Sequence, residues 1–136
     1  MIARFNLPWP PSVNRYWRSV TINGAARVLI SREGNIYRSR VAETVMRNMQ
    51  PGYLRNRIVH PVAVTIEAHA PDRRARDLDN LPKAILDSLT HAGVWTDDSL
   101  IDELHVLRRP VTKGGLVIVT IAHPSAHPSA QMEKAA

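Results

Sequence analysis

The sequence predicts an α+β domain in which a mostly antiparallel sheet of about four or five strands is covered by two helices. Three observations predict it. Several short apolar segments alternate with period two, as half-buried strands do. Two longer stretches repeat apolar residues at helical spacing. The chain's 136 residues are enough for one core and too few for two.

Residues 2 to 7, Ile-Ala-Arg-Phe-Asn-Leu, form the first strand, which Pro8, Pro10 and Pro11 end. The segment LPWPPSVNRYW reads as a rigid loop. Val20 to Ile30 holds Asn23-Gly24 between apolar runs and predicts a hairpin whose turn takes positive φ at both central positions. Ser31, with Glu33-Gly34 after it, opens a long amphipathic helix. In it Ile36, Val41, Val45 and Met49 recur, with Arg38, Arg40 and Arg47 among them, until Pro51-Gly52 stops it.

Val62 to Ala68 alternates as a strand, PDRRAR turns, and Leu81 to Ala92 forms a second helix closed by Gly93. With Asn80 as its cap, Pro82 falls in the first turn, and Leu81, Ile85, Leu89 and Ala92 line one buried stripe. Leu104 to Leu107 and Leu116 to Ile121 are two more strands, expected to pair as neighbours across RRPVTKGG, with Lys113 at the turn's tip. Residues 1–122 make the domain. Residues 123–136, HPSAHPSAQMEKAA, lack an apolar pattern and are expected to be a disordered tail.

Composition narrows the chemistry. Without cysteine neither a disulfide nor a thiolate metal site is possible, so a bound metal needs oxygen or imidazole donors and Mg²⁺ is the default. None of the six histidines stands at metal-site spacing to another. No signal peptide or membrane span is evident, so a cytoplasmic protein is expected. The net charge of +6 favours a polyanionic partner. Residues 1 to 66 carry ten Arg against Glu33 and Glu43, whereas residues 72 to 103 hold eight of the twelve acidic groups. Basic surface captures phosphates and clustered carboxylates capture a cation; a nuclease needs both.

The acidic focus, RDLDNLPKAILDSLTHAGVWTDD, spans residues 76 to 98. Asp77 and Asp79 are two apart on an extended approach, so their side chains can share a side, and Lys83 follows four residues later. Asp98 lies past a helix of about twelve residues, roughly 18 Å long, and joins them only if the chain doubles back after Gly93. Mg²⁺ between these carboxylates would relieve their repulsion and activate water for phosphodiester hydrolysis, with Lys83 stabilising transition-state charge or orienting the water.

Plainer readings stand beside these. The aspartates can be a solvated acidic loop, and from spacing alone Lys83 pairs with Asp87 four residues on. Arg73, Arg74 and Arg76 either neutralise the neighbouring carboxylates or grip phosphates. Trp9, Tyr16 and Trp17 suit a core or an interface, or stacking on an unpaired base.

These motifs resemble the RusA family of Holliday-junction resolvases, small nucleases of bacteria and their prophages. The resemblance spans most of residues 5 to 121, through LPWPPSVNRYW, PDRRARDLDNLPKAILDSLTHAGVWTDD and PVTKGG. It implies a RusA-like fold, metal-binding aspartates at Asp77, Asp79 and Asp98, and an essential lysine at Lys83. It further implies a homodimer that binds a four-way DNA junction and, with Mg²⁺ or Mn²⁺, nicks two opposing strands symmetrically. A two-fold junction offers a C₂ dimer two equivalent phosphates. Arg15, Arg73, Arg74, Arg76 and Lys113 are the candidate DNA contacts. The rival readings are a Mg²⁺-dependent nuclease of flaps or other branched DNA, and a protein that binds branched DNA without cutting it.

Overall fold

The computed structural model describes residues 1–48 and 57–125. β1 (Ala3–Leu7) forms one edge of a four-stranded sheet, followed by β6 (Leu116–Ala122), β4 (Val62–His69) and β5 (Ile101–Arg109) at the other edge. β1–β6 and β4–β6 are antiparallel, and β4–β5 is parallel. The expected pairing of the last two strands does not occur: β4 lies between them.

Side-chain distribution explains that order. β6 buries Val117, Val119 and Ile121 on one face, which suits an interior strand. β5 carries Asp102, Glu103, Arg108 and Arg109 and leaves Leu104 and Leu107 exposed, which suits a charged edge. A parallel β4–β5 pair also needs a long crossover, which contains the helix α3 (Pro82–His91).

The main sheet's buried positions, including Phe5, Leu7, Val64, Ile66, Val119 and Ile121, join one core with Tyr37, Val41 and Val45 of α2 (Arg32–Asn48) and Ala84, Ile85 and Leu89 of α3. Truncating one such aliphatic side chain to Ala costs about 2–5 kcal/mol. Trp95 is fully buried and its indole N–H donates to Thr90 Oγ1 at 2.6 Å.

β2 (Trp17–Ile22) and β3 (Ala25–Ile30) form a separate two-stranded hairpin. Its turn has φ 51° at Asn23 and 76° at Gly24, both positive as expected. β2 starts earlier than the apolar run suggested because Trp17 pairs with Ile30.

The rigid loop of the sequence contains a one-turn helix, α1 (Val13–Tyr16), a third helix that the pattern of prolines conceals. Ser31 caps α2: its Oγ accepts from the Gly34 N–H and donates to the Tyr16 carbonyl, each at 3.0 Å. Gly34 permits this seating, because a Cβ there would stand 2.4 Å from the Tyr16 carbonyl oxygen. The expected helix stop at Pro51-Gly52 and most of the expected tail, residues 126–136, lie outside the described residues.

Asn80 is not the cap of α3. It ends a 3-10 turn, Leu78–Asn80, and Leu81 occupies the cap position with no side-chain cap bond, Pro82 following in the first turn. Leu81, Ile85 and Leu89 are buried as expected and Ala92, the helix's C-cap, is half-buried, while Ala84, Leu86 and Ser88 broaden the stripe. No helix among the described residues is long and apolar enough to cross a membrane.

Candidate active site

The connection from β4 to α3 carries five of the candidate side chains: Arg73, Arg74, Arg76, Asp77 and Asp79. It is folded by Asp72, whose Oδ1 accepts from the Arg74 N–H at 3.0 Å and from the Arg76 guanidinium at 2.7 Å. Those bonds, the one from Arg76 foremost, pull the Asp72 carboxyl down to about 2. The arginine run therefore neutralises Asp72, through Arg76 and more loosely Arg74, and no ion pair joins it to Asp77 or Asp79 among the described residues. Arg73 and Arg74 remain exposed.

Arg76 is the least exposed arginine of the site. Its guanidinium lies 5.7 Å from the centroid of the Trp9 ring, and its carbonyl accepts from Arg108 of β5 at 2.8 Å. Trp9 is pinned from behind by Gly115: a Cβ there would sit 2.6 Å from Trp9 Cβ. The KGG turn thus acts at the site by supporting an aromatic wall, and Lys113 stands exposed in that turn. The PWPP segment is tethered by Tyr37, whose hydroxyl donates to the Pro8 carbonyl at 2.9 Å.

Trp9, Arg15, Arg74, Arg76, Asp77 and Asn80 border a cleft of about 610 Å³. Asp77 is its one acidic side chain, exposed and without an ion pair among the described residues. Asp79 follows in the 3-10 turn rather than on an extended approach. It and Lys83 are exposed at the start of α3, outside the cleft lining. Lys83 Nζ lies 5.9 Å from the centroid of Trp17, which meets Tyr16 edge-on at 4.9 Å.

Lys83 does not pair with Asp87. Asp87 is taken by Arg38 of α2, whose Nη2 and Nε donate to Oδ2 at 2.7 and 2.9 Å, and by the Tyr16 hydroxyl. Burial first, and then the hydrogen bond to Asp87, raise the Tyr16 phenol above its ordinary value. Sequence reading missed this α1–α2–α3 junction, because Tyr16, Arg38 and Asp87 have no local spacing that relates them; Ser88, the buried polar residue beside Tyr16, was the available signal.

Asp98 opens a 3-10 turn, Asp98–Leu100, that leads into β5 and packs against α3. Asp97 shapes that turn by accepting from the Ser99 N–H at 3.3 Å, an interaction with Ser99 that lowers its carboxyl below the usual range. Gly93 turns the chain at φ 84°. However, β5 pairs in parallel with β4 from Val62↔Ile101 onward, so Asp98 precedes the end of the sheet where β4 starts, whereas Asp77 and Asp79 follow the end where β4 finishes. Among the described residues no three carboxylate or imidazole groups stand together in a set able to hold a metal ion. Asp77, Asp79 and Asp98 are hard oxygen donors suited to Mg²⁺, a cation commonly bound by one or two carboxylates together with substrate phosphates and water rather than by a complete protein cage. The donor chemistry fits; a three-carboxylate cage within one chain does not describe it.

Comparison with known proteins matches residues 8–122 to the family described as endodeoxyribonuclease RusA. A crossover junction endodeoxyribonuclease of Enterobacteria phage 82 is 48% identical over 115 residues, covering 85% of this chain and 89% of the relative. Crossover junction endodeoxyribonucleases of Escherichia coli K12 and Shigella sonnei are each 47% identical over the same length and the same shares.

Proposed function

The chain belongs to the RusA family of endodeoxyribonucleases, and from that premise we propose that it resolves Holliday junctions by symmetrical metal-dependent nicking of opposing strands. The observation that carries the reading is Asp77, an exposed carboxylate without an ion pair among the described residues, in a cleft whose other charged side chains are Arg15, Arg74 and Arg76. An acidic group left open within a basic cleft suits a cation and the phosphate it neutralises.

Asp77 and Asp79 would hold Mg²⁺, or Mn²⁺, together with the scissile phosphate, with Asp98 the third candidate donor, not brought beside them within one chain. Such a cation, when bound, polarises a phosphoryl oxygen and makes hydroxide available near neutral pH. Lys83, without a carboxylate partner in α3, stabilises negative charge developing on the phosphate. Arg15, Arg73 and Arg74 hold the flanking backbone, Arg76 does so from a fixed position over Trp9, and Lys113 reaches it from the KGG turn. Two copies related by a two-fold axis supply the paired cuts. The reading puts this work in the cytoplasm, where bacterial and phage DNA recombine.

The test is cleavage of a synthetic four-way junction with Mg²⁺ by the wild type and by Asp79→Asn, with binding measured in EDTA for both. Paired nicks abolished in the variant, with binding retained, are expected. Binding by both with cutting by neither would leave only a branched-DNA-binding protein, and faster cutting of flaps than of junctions would reassign the substrate.

A further inference from the structure

We infer that the β2–β3 hairpin and α2 form a second phosphate-binding groove, which takes the backbone of a duplex arm away from the carboxylate cleft. The inference rests on the DNA-cutting reading of that cleft and extends it to a surface on another part of the molecule.

Arg18 of β2 and Arg32 and Arg40 of α2 border an open groove of about 610 Å³ with Asn35 and Ser39 between them. On α2 these positions follow one another at helical spacing, so they form one stripe, opposite the stripe that buries Tyr37, Val41 and Val45. A solvated helix face is the ordinary reading of such a stripe, and it would ordinarily mix charges. Here the groove's one carboxylate, Glu43, is paired with Arg47, and Arg38 is paired with Asp87. Among the described residues no carboxylate lies within ion-pair distance of Arg18, Arg32 or Arg40, and all three are exposed. Three unneutralised guanidinium groups and two hydrogen-bonding side chains in one concavity match a row of phosphates.

Spacing agrees. Arg32 and Arg40 are eight residues apart on α2, roughly 12 Å along its axis, which corresponds to about three base-pair steps measured along a duplex axis at about 3.4 Å each. The hairpin supports the same conclusion. A two-stranded ribbon alone is marginally stable, and this one exposes nearly every residue from Arg18 to Leu29 while carrying Arg18 and Arg27 and no acidic group. Ile22, Val28 and Leu29 are exposed beside them, so only the two arginines and the lack of carboxylates favour a polyanion here. None of these residues borders the carboxylate cleft.

The experiment compares the full chain with Arg18→Gln/Arg32→Gln/Arg40→Gln and with Arg40→Gln alone, titrating a labelled four-way junction in EDTA from about 50 to 200 mM salt. For the triple variant the slope of log affinity against log salt is expected to be shallower by about 2 to 3, and for the single variant by about 1. The Arg→Lys triple variant is expected to keep the wild-type slope. Wild-type slope and affinity in the Gln triple variant would overturn the groove while the nuclease reading stands. A change of oligomeric state in that variant, seen by light scattering, would overturn it too, making the face a protein interface. A wild type that neither binds nor cuts the junction would end both readings together.

Discussion

Asp87 accepts two hydrogen bonds from Arg38, at 2.7 and 2.9 Å, and so leaves Lys83, one turn earlier on the same helix, without a carboxylate partner among the described residues. An ion pair four residues apart on a helix is worth only a few tenths of a kcal/mol. The Arg38 pair, its side chains about four-fifths and three-quarters buried, also ties α3 to α2 and, through Tyr16, to α1. The stronger tertiary bond takes Asp87, and Lys83 is free to face a substrate.

Asp87→Ala is therefore expected to lower stability by about 2 kcal/mol, because Arg38 is left about four-fifths buried with no counter-charge; the figure is below that for a fully buried pair. Tyr16→Phe should cost about 1 kcal/mol. Urea unfolding midpoints test both, and equal midpoints for Asp87→Ala and wild type would contradict the structural role.

Lys83→Ala should leave the fold intact, since its side chain is exposed, and slow single-turnover junction cleavage on the order of 10²–10³-fold. Junction affinity in EDTA should change little by comparison. A loss confined to affinity would make Lys83 a phosphate contact instead of a transition-state group.

Gly115→Ala meets two penalties, a φ of 76° and a Cβ 2.6 Å from that of Trp9. Stability should fall by about 1–2 kcal/mol, and cleavage should fall with it as Trp9 shifts beneath Arg76. Gly114→Ala, at φ 83° but with nothing within 4 Å of the added carbon, separates backbone strain from displacement of the ring: only Gly115→Ala should alter tryptophan fluorescence.

Acid stability follows from Asp72. Its carboxyl is lowered in the fold from 3.8 to about 2, so the fold is favoured above the unfolded-state value and loses that contribution as pH falls from about 4 to about 2. Asp72→Asn should be less stable than wild type at pH 6, with the gap closing toward pH 2, as read from urea midpoints across that range. Tyr16 gives the opposite sign at high pH: its raised phenol stabilises the fold below about 10 and loses that contribution as the pH climbs past its folded value.

The elements whose signals are local were legible in the sequence. Period-two alternation located β1 and β4, a run of apolar and β-branched residues located β6, Asn23-Gly24 declared the hairpin's turn, Ser31 declared the cap of α2, and apolar spacing located α3. The acidic focus that holds Asp77, Asp79 and Asp98 was legible along the chain, but whether the three meet was not, because that depends on where α3 carries Asp98. Asn80 misled because capping residues and 3-10 residues have the same composition, and α1 was hidden because a single turn has too few residues to show a period.

By itself, then, the sequence determined the element types, the buried faces, the hard-oxygen character of the acidic focus and the membership of a nuclease family. Only the tertiary structure decided which strand lies between β5 and β6, that Asp87 belongs to Arg38, that Arg76 rests on a Trp9 braced by Gly115, and that Asp77 alone among the aspartates enters the cleft. The physical reason is one of range. Backbone propensity, capping and amphipathicity act within a few residues, whereas strand order and ion-pair choice are settled by competition among partners that are distant in the chain and meet only when the core closes.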